Sequence, residues 1–257
     1  MEKLVRLLGR KALDLIASVG EIAILVGRTL KYIRYIHRDR TLYNEQMYRL
    51  GVKALPLVGI IAVFAGAVAG WQGAYQLEDT LPPRFFGQIV AVGILSEMGP
   101  VLTALVLAGR NGSSIGAEIA TMKVTEQIDA LEVMAINPIR HLVAPRVVAM
   151  TIMLPLMVVV ADIIALFTAA LIGDLFFNIS VQMFFNSFQS VFVISEDVIP
   201  SMAKALSFGI SIGVISCWVG LKATRGASGV GRAAILAFVF SATIILLNDY
   251  LVAVLVF

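Results

Sequence analysis

Cysteine occurs once in this chain, as Cys217, and histidine twice, as His37 and His141. A lone cysteine excludes a disulfide within one chain and any CxxC metal or redox pair. Neither histidine falls in an HxxxxD, HExxH or Ser-His-Asp arrangement, so both read as surface residues of basic stretches and no membrane-embedded lipid enzyme is signalled. A phosphate-cradling loop is missing too. The nearest glycine cluster, Gly226-Ala227-Ser228-Gly229-Val230-Gly231, lacks the Lys-Ser/Thr of a Walker A sequence and reads as a flexible turn. Charge is scarce, at 14% of residues against 59% hydrophobic and a mean hydropathy of +0.92. Those values exclude an ordinary soluble domain and identify an integral membrane protein.

Long apolar runs are what the chain has in abundance. A span needs about 20 apolar residues to cross roughly 30 Å of hydrocarbon, and five segments qualify: 54–77, 85–109, 147–173, 201–221 and 233–257. Lys and Arg concentrate on the cytoplasmic side of a membrane protein. Eleven of the 20 basic residues lie between Lys3 and Lys53, ahead of the first span. Arg110, Lys123, Arg140 and Arg146 join spans two and three, and Lys222, Arg225 and Arg232 join spans four and five. Arg84 and Lys204 fall on the opposite side, which carries Glu78, Asp79, Asp174, Glu196 and Asp197. The N-terminus is therefore expected in the cytoplasm and the C-terminus outside. The net charge of +3 belongs to this asymmetry and gives no sign of nucleic-acid binding.

Residues 1–40 are apolar enough to imitate a span or a signal peptide. Asp14 and Glu21 interrupt the apolar stretch, basic clusters flank it on both sides, and no small-residue cleavage site is evident. Leu4, Leu7, Leu8, Leu15, Val19 and Ile22 recur at helical spacing, with Lys3, Arg6, Arg10 and Asp14 on other faces. This pattern predicts an interfacial amphipathic helix lying along the cytoplasmic leaflet. Between spans two and three, the periodicity of Ile115, Ile119, Met122, Ile128, Leu131 and Met134 predicts a helix over 114–136. Glu118, Lys123, Glu126, Asp129 and Glu132 interleave with that stripe, and Asn137-Pro138 ends it. Such a mixed-charge helix is either a solvated connector or a docking surface for a soluble partner.

Three acids lie within spans: Glu97, Asp162 and Asp249. An intramembrane carboxylate is a functional-site hypothesis by default, because burying it costs roughly 2.5–3.5 kcal/mol on insertion scales. Glu97 reads as facing a cavity or as a packed structural acid; Asp162 and Asp249 read as paired structural acids or as parts of a proton relay. Span one is rich in small residues, Ala69 among them, that permit close helix approach. It ends in a polar-aromatic cluster of Trp71, Gln72, Tyr75 and Gln76 followed by Leu77. The aromatic rings suit an interfacial belt, whereas Gln72 suits a lipid headgroup. Ala69, Gln72, Tyr75, Gln76, Leu77 and Glu97 are the candidate substrate-path residues, placed between spans one and two.

Gly70-Trp71-Gln72-Gly73, Glu97-Met98-Gly99-Pro100, Ala108-Gly109-Arg110, Ala117-Glu118-Ile119, Thr125-Glu126-Gln127 and Asn137-Pro138 through Pro145-Arg146 resemble the MlaE/YrbE family of ABC permeases over most of the chain. The resemblance implies an all-α homodimeric inner-membrane permease that moves phospholipids between the inner and outer membranes of Gram-negative bacteria. It implies an MlaF-type ATPase below, a hexameric ring of MlaD-type MCE subunits outside and a small MlaB-type STAS protein on the ATPase. ATP and Mg would sit on that ATPase, with no cofactor in this chain. Residues 114–138 become a cytoplasmic coupling helix, with Glu118, Lys123, Thr125, Glu126, Gln127, Asp129 and Leu131 as docking candidates. Ser96 stands where some relatives carry an arginine before the intramembrane glutamate, so a fixed Arg-Glu pair does not carry over. The competing class is an ion- or proton-coupled secondary transporter, which predicts internal repeats; five spans without a visible repeat speak against it.

Overall fold

The computed structural model describes residues 2–77, 82–190, 192–193, 198–224 and 226–256, and the described residues form helices without a strand. Glu78, Asp79, Glu196, Asp197 and Arg225, which enter the charge argument, lie outside them, as do Met1 and Phe257. The side chains of Lys3, Leu4, Arg6, Leu7, Leu8, Arg10, Leu15 and Leu77 lie outside them as well.

Five helical stretches are long and apolar enough to cross a membrane: Arg40–Gln76, Pro83–Val124, Ile139–Phe177, Ile199–Leu221 and Ala227–Val254. Each contains or overlaps one expected span. The first joins α2 (Arg40–Leu50) to α3 (Leu55–Leu77). The second is built end to end from α4 (Phe86–Gly93), α5 (Gly99–Leu107) and α6 (Ser113–Val124), joined by π turns at Ile94–Met98 and Ala108–Gly112. Next come α7 (Gln127–Val133), the long α8 (Ala144–Phe177) and a short helix α9 (Val181–Gln189). The bundle closes with α10 (Ile199–Leu221) and α11 (Ala227–Val256).

At the centre stands α8, with α3 on one side and α10 on the other. Small residues set both approaches. A Cβ on Gly70 of α3 would lie 2.8 Å from Ala169 Cα, and one on Gly209 of α10 would lie 2.6 Å from Met150 O. The small-residue face of span one is thus occupied within its own chain by α8, and is not the surface offered to a second copy. The opposite face of α3, through Ile60, Phe64, Val68 and Tyr75, is the exposed one.

The segment between spans two and three is two helices rather than one. Residues Ile115, Ile119 and Ala120 are buried as α6 packs between α10 and α11, so α6 continues span two instead of leaving the bundle. The chain then reverses at Glu126, whose φ of 59° is left-handed, a conformation costing a non-glycine roughly 1–2 kcal/mol. Glu126 O accepts from Ala130 N at 3.0 Å to start α7, and Lys123 pairs with Asp129 at 2.9 Å across the corner.

At the N-terminus, α1 (Glu2–Ile33) is a continuous helix. Its Leu25 and Thr29 are buried, and Ile22 and Val26 pack on the main core. Leu13, Ile16, Ile24 and Leu30 remain exposed on the other faces.

Candidate functional site

Pro100 shapes the middle of span two. It has no N–H, and its ring crowds the carbonyl of residue i−4, Ser96. A wider π turn relieves that crowding, and over Ile94–Met98 the Gly99 N–H reaches back to Ile94 O. The carbonyl of Ser96, to which Pro100 has no N–H to donate, accepts from Lys204 Nζ at 3.2 Å. The same ammonium donates to Glu97 Oε1 at 2.7 Å and pairs with Asp249 Oδ1 at 2.9 Å. One lysine from α10 is thereby held by two carboxylates, from the π turn and from α11. The Lys204 side chain is 1% exposed, Asp249 21% and Glu97 46%. The cation is enclosed, and the open edge of the cluster is the Glu97 carboxylate.

Lys204, expected on the outer side from charge placement, is a site residue in the interior. The signal was present, because a lysine four residues into an apolar span needs a partner, and Glu97 and Asp249 lacked one. Asp249 is accordingly paired. Asp162 is not: it is buried, and its Oδ1 has no hydrogen-bond partner among the described residues. That oxygen sits over Gly99 Cα, where any Cβ would collide with it.

The α3 candidates lie higher. Val90 touches Gly73, and the seven residues from Val90 to Glu97 correspond to about 10 Å of helix. Glu97 is therefore about two turns deeper than Gln72, Tyr75 and Gln76, which are exposed. Trp71 is packed edge-on against Phe176 and Phe177, with ring centroids 5.2 and 5.4 Å away. Ala69 is part of the packing between α3 and α8. No ion pair or hydrogen bond joins Glu97 to Ala69, Gln72 or Tyr75 among the described residues.

At the other end of the bundle, Glu118 is drawn inward. It binds Arg49 of α2, takes a 3.3 Å bond from Arg146 of α8 and accepts from Ser114 Oγ at 2.9 Å. It is a tie between three helices. Asn111 Nδ2, in the second π turn, donates to Leu50 O at 2.6 Å and fastens α2 to span two. Outward-facing chemistry belongs to the next corner: Thr125, Glu126, Gln127 and Asp129 are exposed, Leu131 is half-buried, and Val133 is 89% exposed with Met134 beside it. Behind this corner, Arg140 forms a two-pronged bond to Asp39 at 2.8 and 2.9 Å and covers the Tyr35 ring at 4.7 Å. The Arg140 hydrogen bonds hold the Asp39 carboxyl below its usual range.

The sequence profile described as Permease MlaE matches residues 43–255. The chain belongs to the MlaE permease family. It is 37% identical over 256 residues to a probable ABC transporter permease protein of Rickettsia typhi, covering 98% of this chain and 96% of that one. Identity to the intermembrane phospholipid transport system permease protein MlaE of Haemophilus influenzae is 30% over 250 residues, 97% of this chain and 96% of the relative. Against the chloroplastic protein TRIGALACTOSYLDIACYLGLYCEROL 1 of Arabidopsis thaliana it is 32% over 242 residues, 94% of this chain and 66% of the plant protein. The MlaE match takes in both ends of the geometry above, the Lys204 cluster and the Thr125–Met134 corner. This member of the MlaE family is a multi-pass membrane protein of the ABC permease kind.

Proposed function

We propose that the chain is the membrane subunit of an ATP-driven phospholipid transporter, working as a homodimer with a separate MlaF-type ATPase, an MlaD-type MCE hexamer and an MlaB-type STAS protein. ATP and Mg act on the ATPase. The observation that carries the reading is the Glu97–Lys204–Asp249 cluster. A charged group in the membrane needs water, a counter-ion or a headgroup, and this one keeps a half-open carboxylate beside an enclosed ammonium. A phospholipid headgroup passing Glu97 offers ammonium or hydroxyl donors to that carboxylate, while acyl chains stay against the apolar surface of α3 and span two. Gln72, Tyr75, Gln76 and Leu77 form the mouth of the path about two turns above.

The exposed corner from Thr125 to Met134 serves as the ATPase contact, with Val133 and Met134 as apolar anchors and Glu126, Asp129 and Glu132 around them. Movement there reaches span two directly through α6 and reaches α1 and α2 through Arg140–Asp39. The basic residues of α1, α2 and the α6–α8 connection support a cytoplasmic location for this end, with α1 along the inner leaflet and the C-terminus in the periplasm.

Asp162, buried with an oxygen unpartnered among the described residues, favours a proton-coupled transporter instead. Reconstitution separates the two. The proposal expects a co-purifying ATPase, hydrolysis stimulated by phospholipid, transport that persists when the pH gradient is collapsed, and a cysteine at Arg38 that reacts only from the cytoplasmic side in a Cys217-free background. Transport by the isolated chain driven by a pH gradient overturns it.

A further inference from the structure

Two cavities meet at the cytoplasmic end of α10 and α11, far from the Glu97 cluster. The larger, about 440 Å³, is an apolar slot between α1, α10 and α11, walled by Val19, Ile22, Ile215, Trp218, Phe240 and Ile244. The smaller, about 220 Å³, opens beside it and carries Lys222, Thr224 and Arg232. Trp218 and Phe240 line both, with ring centroids 6.2 Å apart, so the two adjoin at one aromatic pair.

The placement is interfacial. Trp218 is three residues from the end of α10, about 5 Å of helix, the depth at which tryptophan collects. From Phe240, α11 continues 16 residues to Val256, about 24 Å, so the slot lies in the leaflet on the α7 side. Asp249 is nine residues further along α11, about 14 Å away. The slot belongs to a different leaflet region from the cluster.

Charge selects the occupant. Glu21 of α1 pairs with Lys222 and accepts from Trp218 Nε1 at 3.0 Å, while the Lys222 ammonium lies 4.7 Å from the centre of the Trp218 ring. That acid answers one of the two cations. Arg232 is exposed and makes no ion pair among the described residues, leaving the mouth with a net positive charge. Asp14 lines the slot and is not among the residues of that mouth. An apolar slot adjoining a basic, hydroxyl-bearing mouth matches an amphiphile with an anionic head. A partner helix, about 10–12 Å wide with its side chains, does not enter a slot of this volume.

We propose that the crevice between α1, α10 and α11 binds an anionic phospholipid of the cytoplasmic leaflet, with its phosphate between Lys222 and Arg232 and an acyl chain against Trp218 and Phe240. The lipid completes the contact of α1 with the bundle, because Val19 and Ile22 form the α1 wall of the slot. Occupancy is independent of ATP, which sets this site apart from the transport path and lets either assignment fail without the other.

The test uses the full chain in nanodiscs of phosphatidylcholine with a minority of phosphatidylglycerol, a photo-reactive residue at position 244, and mass spectrometry of the captured lipid. Phosphatidylglycerol is expected to be enriched about fivefold over its bulk fraction, the effect of one basic side chain on an anionic headgroup. Arg232→Gln should bring capture back to bulk composition and Arg232→Lys should keep the enrichment. A photo-reactive residue at the lipid-exposed position 246 should report bulk composition throughout. Bulk composition at position 244 in the otherwise unaltered chain overturns the proposal. Enrichment that survives Arg232→Gln, capture of peptide instead of lipid, or enrichment that appears only during ATP turnover each overturns it as well.

Discussion

Lys204→Met is the perturbation that probes the intramembrane cluster most sharply. It removes an ammonium that is 1% exposed and leaves Glu97 and Asp249 facing one another without their cation. Removing one partner from a buried ion pair costs about 3–5 kcal/mol. Glu97 is half open, and water screens its share of the loss, so the lower end applies, about 3 kcal/mol. For a chain of this size each kcal/mol moves the melting temperature by roughly 2–4 °C, which gives a fall of roughly 6–12 °C. The assay is thermal unfolding of the purified complex alongside lipid transport in proteoliposomes. The triple change K204M/E97Q/D249N removes the charges together, and a neutral cluster leaves no buried charge unpaired; it should recover most of the stability and still fail to transport. Unaltered melting of Lys204→Met would refute the geometry. A triple variant that recovers transport as fully as stability would reduce the cluster to packing.

Three further outcomes follow from other parts of the fold. Val133→Glu or Met134→Glu should leave melting unchanged and reduce ATPase recovery in a pull-down, whereas Glu118→Lys should lower melting because it sets a third cation against Arg49 and Arg146; the reverse pattern would move the docking surface to α6. Gly99→Ala drives a methyl into the Asp162 carboxyl and should cut the yield of folded protein, with Asp162→Ser in the same chain restoring it; equal yields for both would show that the helices part freely there. Asp39 has a folded pKa below its ordinary 3.8 because of its hydrogen bonds from Arg140, so its contribution is present above that value and lost as pH falls through the lower folded one. Fluorescence from Tyr32 and Tyr35 should therefore stay constant from neutral pH down to the carboxylate range and change below it, and Asp39→Asn should abolish the change.

The spans were legible because hydrophobic length is a local property and the membrane demands it of every crossing. The break at Glu126 was not, since neither Thr125 nor Glu126 is a glycine or proline and the left-handed turn is held by contacts on either side of it. The inward role of Glu118 depends on Arg49 and Arg146, 69 and 28 residues away, a pairing that periodicity cannot show; on pattern alone a helix with charges among its apolar residues looks solvated. Glu97 stands out in the sequence as an isolated acid, and its partner does not, because Lys204 lies near a span end, where a basic residue normally snorkels to the surface. The wide turn that aims Glu97 at Lys204 was written in Gly99-Pro100, where a missing donor and a missing side chain occur together.

The central claim, that phospholipid passes the Glu97 edge of the cluster under control of the partner ATPase, is tested most directly by a photo-reactive residue at Gly93. That position has open space beside it and lies one turn before Glu97. In the reconstituted complex it should capture phospholipid, the yield should change between ATP-bound and nucleotide-free states, and Glu97→Gln should remove that change while capture at Leu246 remains constant. Identical capture at Gly93 and Leu246 in every nucleotide state, with normal transport by Glu97→Gln, would contradict the account.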